Sequence, residues 1–148
     1  MISDREVVVR LVLAVLCSGF IGLEREVSGR AAGLRTHILV CVGSALVMLT
    51  GIHLFDLYAG RVEVDPTRLA AQVVSGIGFL GAGTIIQFQD SVRGLTTAAS
   101  LWAAAGIGLA IGSGFYVGAV ASTSIVLTVL FILSRFEQKV TRTKKKEG

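Results

Sequence analysis

The sequence predicts an all-α polytopic membrane protein, a bundle of five transmembrane helices, and three observations carry that expectation. Hydrophobic residues make up 53% of the 148 and charged residues only 16%, against roughly 45–50% and about 25% in an ordinary soluble domain. Only 13 of the 24 charged residues fall among the 128 residues at positions 7–134. Eighteen glycines beside a single proline fit close helix packing rather than a loop-rich chain. This composition excludes a soluble globular enzyme, a disulfide-stapled secreted domain and a disordered tail.

A helix needs about 20 apolar residues to cross the ~30 Å hydrocarbon layer, so each uncharged run is a potential span. The first is 7–23, broken only by Arg10, which lies one turn after Glu6 and close enough to the interface to snorkel. No basic segment precedes it and Glu24-Arg25-Glu26 follows it in place of a small-residue cleavage site, so a cleaved signal peptide is not expected. The second run is 36–55 and the third 69–89. The fourth, 94–134, holds 41 uncharged residues, too many for one span and right for two joined at Ile111-Gly112-Ser113-Gly114. The predicted helices are about 7–23, 36–57, 67–87, 95–112 and 115–134, forming one transmembrane domain over 1–134 with a basic tail over 135–148.

Five spans put the termini on opposite sides. With the basic tail in the cytoplasm, the 24–35 and 88–94 loops fall inside with it, and ten basic residues lie inside against four outside (Arg5, Arg10, Arg61 and Arg68). That is the positive-inside bias, and it predicts a bacterial inner-membrane protein with the N-terminus outside. The outer loop carries the acids Asp56, Glu63 and Asp65. The tail, with Arg135, Lys139, Arg142, Lys144, Lys145 and Lys146, fits attraction to anionic lipid at about 1 kcal/mol per basic residue. Lipid is therefore the expected partner and nucleic acid is not.

Several residues stand out as candidates. In the fourth predicted helix Thr96, Ser100, Ala104, Gly108 and Gly112 recur at every fourth position, and the fifth continues with Gly114, Gly118 and Ser122. Such a stripe lets membrane helices approach closely, within one chain or between two copies of a homodimer. The third helix carries Gly76, Gly78, Gly81 and Gly83 within eight residues. That density marks either a close helix crossing or a broken helix whose free carbonyls line a cavity. Gln72 and Ser75, just before it, are expected to face the bundle interior.

At the inner loop, Glu24, Arg25, Glu26 and Arg35 flank two spans. They serve as interfacial anchors, or Glu24 and Glu26 pair with Arg35 and Arg93 as a salt-bridge network, or hold a cation. Asp65 followed by Pro66 reads as an N-cap and first-turn proline, with Arg68 placed to neutralise the acid. Cys17 and Cys41 sit in apolar runs without metal-ligand spacing, so free thiols and no metal cluster are expected. Neither His37 nor His53 belongs to a recognisable catalytic motif, and no P-loop or HExxH is present, so no enzymatic activity is expected.

Three blocks make the chain resemble the membrane domain of the MgtC/SapB family of bacterial inner-membrane proteins. They are 22–26 (GLERE) with 33–37 (GLRTH), 65–83 (DPTRLAAQVVSGIGFLGAG), and 92–102 (VRGLTTAASLW), the last including Arg93, Thr96, Thr97 and Trp102. The resemblance implies a five-span protein linked to adaptation to low magnesium and, in pathogens, to survival inside macrophages. It also implies a regulator of other membrane proteins, the proton-translocating ATP synthase among them. MgtC proper continues into a soluble cytoplasmic domain, whereas about fourteen residues follow the last predicted helix here, as in short SapB-like members.

Two functions follow as expectations. The first is a non-enzymatic, dimeric modulator of membrane proteins with no cofactor. The second is a small magnesium or other cation transporter that uses the 76–83 segment with Gln72, and Asp65, Asp56 and Glu24 at its mouths.

Overall fold

The computed structural model describes residues 2–61, 65–89 and 91–144, with side chains described through 132. Five helices and one small hairpin follow in the order α1 (Asp4–Val27), α2 (Leu34–Tyr58), α3 (Pro66–Gly83), β1 (Ile86–Phe88), β2 (Ser91–Arg93), α4 (Leu95–Ser113) and α5 (Tyr116–Lys144).

The helix starts follow capping chemistry. Ser3 Oγ accepts from the Glu6 amide at 3.3 Å, and Asp4 and Glu6 place negative charge in the first turn of α1. Asp65 caps α3, accepting from the Thr67 amide at 2.8 Å and the Thr67 hydroxyl at 2.6 Å, with Pro66 at the first helical position. These bonds favour the carboxylate form and hold the Asp65 pKa below the usual range. The cap of α2 is borrowed. Gly33 has no side chain to offer, and Glu26 of the preceding helix reaches across to accept from the Leu34 amide at 2.8 Å.

The third helix ends sooner than its uncharged run predicts, at Gly83 rather than 87. Thr84 closes it, its hydroxyl donating to Gly81 O at 2.8 Å, and the residues that follow are β-branched and aromatic, better suited to a strand. They form an antiparallel pair with Ile86 opposite Arg93 and Phe88 opposite Ser91. Gly94 then adopts φ 91° and passes against the Thr84 carbonyl, where a Cβ would collide with that oxygen. The α4–α5 turn falls at Gly114 (φ 85°), whose amide donates to Ala110 and Ile111 carbonyls. The α5 backbone continues to Lys144, past the expected end at 134. The side chains of Arg135, Lys139, Arg142 and Lys144, and Lys145 and Lys146 entirely, lie outside the described residues, as does Glu63 of the outer loop.

Successive helices run antiparallel, and α4 lies at the centre against α2, α1, α3 and α5. The small stripe of α4 is spent inside the chain. A Cβ on Gly108 would strike the Cys41 carbonyl of α2, and one on Gly112 would come within 2.6 Å of Ala45 O. Ala104 is fully buried. The core joins Ala14, Cys17 and Ile21 of α1 to Cys41 and Ala45 of α2, Ile107 and Ile111 of α4, and Ala119 and Leu130 of α5. Both cysteines are free thiols. Gly118 packs locally, against the ring of Phe115.

The glycines of α3 behave differently. The helix is continuous from Pro66 to Gly83, which removes the broken-helix alternative. Only Gly81 packs closely, 3.6 Å from Ala98 Cβ by the position its own Cβ would take, whereas Gly76, Gly78 and Gly83 meet nothing within 4 Å. Gln72 and Ser75 are exposed rather than interior. The reason is that among the described residues α3 packs mainly on α2 and α4, through a face that includes Ile77 and Gly81, and leaves much of its circumference uncovered.

Large apolar side chains point outward, among them Phe20 (61% exposed), Leu39 (71%) and Phe79 (83%), a surface that demands an apolar surrounding. Three helices, α1, α2 and α4, are long and apolar enough to cross a membrane, while the apolar part of α5, Tyr116–Ile132, is shorter. The described residues are thus all-α in their architecture, apart from the one hairpin, and include three candidate spans.

Candidate functional site

Polar side chains inside an apolar bundle are costly and are kept where they do something. Two groups of them lie at opposite ends of α1 and α4. Arg10 of α1 is 7% exposed; its Nη1 donates to Gly112 O at 2.7 Å, its Nε to Tyr116 Oη at 3.0 Å, and its Nη2 pairs with Glu6. Rather than snorkelling to the interface, Arg10 turns inward and covers the carbonyl end of α4.

The second group forms where α1 ends, α2 begins and α4 begins. Gly22 allows this convergence, since a Cβ there would lie 2.7 Å from Leu34 Cα. Arg25 is 2% exposed. Its Nη2 donates to Thr97 Oγ1 at 3.3 Å and its Nη1 lies 3.8 Å from Glu24 Oε2, but its Nε, buried, has no acceptor among the described residues. Glu24 Oε2 is likewise buried without a hydrogen bond, while its Oε1 accepts from Ser28 Oγ at 2.8 Å. His37 is fully buried; Nδ1 donates to Gly33 O at 2.9 Å, and Nε2 lies 3.0 Å from Ser100 Oγ. The Ser100 hydroxyl is also 2.8 Å from Thr97 O, and its single proton serves one acceptor at a time.

Beside this centre opens a cleft of about 470 Å³ whose walls include Arg25, Arg30, Arg93, Gly94, Thr96 and Thr97. None of its lining residues is acidic. The first helical hydrogen bond of α4 runs from the Ala98 amide to Gly94 O, so the amides of Leu95, Thr96 and Thr97 have no partner within the helix and bring the positive end of its dipole to the cleft. Three guanidinium groups and a helix N-terminus make the surface strongly donor-rich.

Of the alternatives for the inner-loop charges, the salt-bridge network with Arg35 and Arg93 is not seen among the described residues. Among the described residues Glu24 faces Arg25 and Ser28, Glu26 caps α2, and neither pairs with Arg35 or Arg93. Arg35 is exposed outside the cleft, and Asp65 and Arg68 lie at the opposite end of the bundle with Gln72. Trp102 is 57% exposed and borders a separate apolar groove of about 300 Å³ between α3 and α4, with Ile77, Gly78 and Gly81. Sequence reasoning missed Arg30 and His37 as members of the site and misjudged Arg10. The signal for Arg10 was its place within an otherwise uncharged run; for His37, it was its position four residues after Gly33 and at the same end as Ser100.

Comparison with known proteins places the chain in a lineage. The MgtC family model matches residues 11–139. A protein of Escherichia coli strain K12 named "Putative magnesium transporter YhiD" is 46% identical over 127 residues, 84% of this chain and 59% of its own length. Protein SapB of Bacillus subtilis strain 168 is 40% identical over 141 residues, covering 93% of this chain and 60% of its own. Protein MgtC of Salmonella typhimurium strain 14028s is 42% identical over 133 residues, covering 90% and 54%. The chain therefore spans between half and two thirds of the length of these relatives. No solved structure matches it. A family model that runs from the second turn of α1 into the last turns of α5, with all three sequence blocks inside it, shows that this chain belongs to the MgtC family.

Proposed function

We propose that this chain is a five-span inner-membrane protein that modulates other membrane proteins in magnesium homeostasis and low-magnesium adaptation, without catalysing a reaction. The magnesium connection comes from the relatives' names. The observation that favours modulation over transport is the chemistry of the buried polar residues: Arg10, Ser18, Arg25, His37, Ser44, Thr97, Ser100 and Thr123, with no acid among those described. Magnesium holds its water tightly and is bound through carboxylates or phosphates, and an arginine-lined mouth repels it. The alternating helices group Arg25, Arg30, Arg35 and Arg93 at one end, which by the positive-inside bias faces the cytoplasm with the C-terminal tail and leaves the N-terminus outside.

The same reading includes a homodimer. Gly76 and Gly83 lie two turns apart on α3 with Phe79 and Leu80 between them, all uncovered, and small residues flanked by large ones suit contact with another membrane helix. The proton-translocating ATP synthase is the first partner to test, on the family resemblance.

A second reading, magnesium transport, rests on the name carried by the YhiD relative and on the uncovered Gln72 and Ser75 of α3. Proteoliposomes holding the purified protein and a magnesium-sensitive dye separate the two. Modulation predicts no saturable uptake; uptake that saturates and disappears in Gln72→Leu would establish transport instead.

A further inference from the structure

We propose that the cleft lined by Arg25, Arg30 and Arg93 at the start of α4 binds a phosphate group, in the form of a phosphate monoester or inorganic phosphate. The inference stands on the cleft itself and holds whether the protein modulates or transports.

Four features converge on this ligand class. The walls bring three guanidinium groups together from three separate parts of the chain, the last turn of α1, the α1–α2 connection and β2, and among the described residues no acid lines the cavity to neutralise them. The α4 N-terminus opens onto it with three amides that have no acceptor inside the helix, the arrangement by which helix ends hold anions. The hydroxyls of Thr96 and Thr97 belong to the same wall. Arg25 supplies the independent sign that something is missing: it is 2% exposed, yet its buried Nε has no acceptor among the described residues, and the one carboxylate paired with it among them, Glu24, stands at 3.8 Å. A buried cation with so little compensation is costly, and an anion seated in the cleft would supply the missing charge. Guanidinium forks and free amides match the several acceptor oxygens of phosphate.

The phosphate has two sources, a lipid headgroup or a soluble anion, and both present the same oxygens. The end of the bundle that holds the cleft also carries the exposed basic residues Arg30, Arg35 and Arg93.

The test uses the full chain purified in detergent and stripped of lipid. Calorimetric titration with inorganic phosphate at fixed ionic strength reads the soluble source; native mass spectrometry with phosphatidic acid against phosphatidylcholine reads the headgroup. Saturable binding in either arm is expected, weakened at least tenfold in the Arg30→Gln/Arg93→Gln double variant. Both residues are exposed, so folding should survive, and unchanged melting temperature checks that. Arg35→Gln/Arg61→Gln removes the same charge away from the cleft and is expected to change affinity less than twofold. Absence of saturable binding in both arms, or equal weakening by the two double variants, would overturn the proposal.

Discussion

Two buried arginines on one helix have opposite surroundings. Arg10 and Arg25 lie fifteen residues apart on α1, about 22 Å along the axis, and meet α4 at Gly112 and Thr97, also fifteen residues apart. At the Arg10 end each of the three guanidinium nitrogens has an acceptor, a backbone carbonyl, a phenol and a carboxylate, with the Tyr116 ring 5.7 Å away. At the Arg25 end one hydroxyl and one distant carboxylate leave a donor unused beside an open cleft. The difference teaches how to tell a buried charge that holds helices together from one kept for a ligand: the first closes its own bonds, and the second does not.

The comparison breaks most severely at Gly112. Its Cβ would press on Ala45 O at 2.6 Å and Met48 Cβ at 2.7 Å, moving the very carbonyl that Arg10 holds, so Gly112→Val should destabilise by about 3 kcal/mol, read by denaturant titration in mild detergent. Arg10→Met comes next, at about 2 kcal/mol, because a buried carbonyl loses its strongest donor. Ser100→Ala should cost about 1 kcal/mol, since His37 Nε2 loses its partner while Nδ1 keeps Gly33 O. Arg25→Met sharpens the contrast: an ill-compensated charge is replaced by an apolar chain of similar length, and stability should change by less than about 1 kcal/mol.

A small effect is also expected at Asp65, where Asp65→Ala removes the α3 cap and slightly lowers the melting temperature. Its depressed pKa means that the capping contribution is present above the ordinary carboxylate range and is lost as pH falls through the folded value. The wild type and Asp65→Ala melting curves should therefore converge in acid.

The five helices were legible because charge is nearly absent from the runs that form them, and the α4 stripe was legible because a period of four fixes a helix face whatever that face touches. Hydropathy alone could not find the end of α3, since Ile85, Ile86 and Phe88 are as apolar in a hairpin as in a helix. The glycines of α3 were misread for a related reason: spacing shows that close approach is permitted, but what approaches is a tertiary outcome, and among the described residues only Gly81 has a close neighbour. The family blocks flagged Arg25, Thr97 and Arg93. Their convergence with Arg30 depends on the 28–33 connection and the 84–94 hairpin lying at the same end, which no local pattern encodes.

The most direct measurement compares Arg10→Met and Arg25→Met in one preparation, recording melting temperature and phosphate affinity for each. Arg10→Met is predicted to lower the melting temperature and keep the affinity, and Arg25→Met to keep the melting temperature and lose the affinity. Equal loss of stability in both variants, with phosphate affinity unmoved by Arg25→Met, would contradict the assignment of one end as a staple and the other as a ligand site.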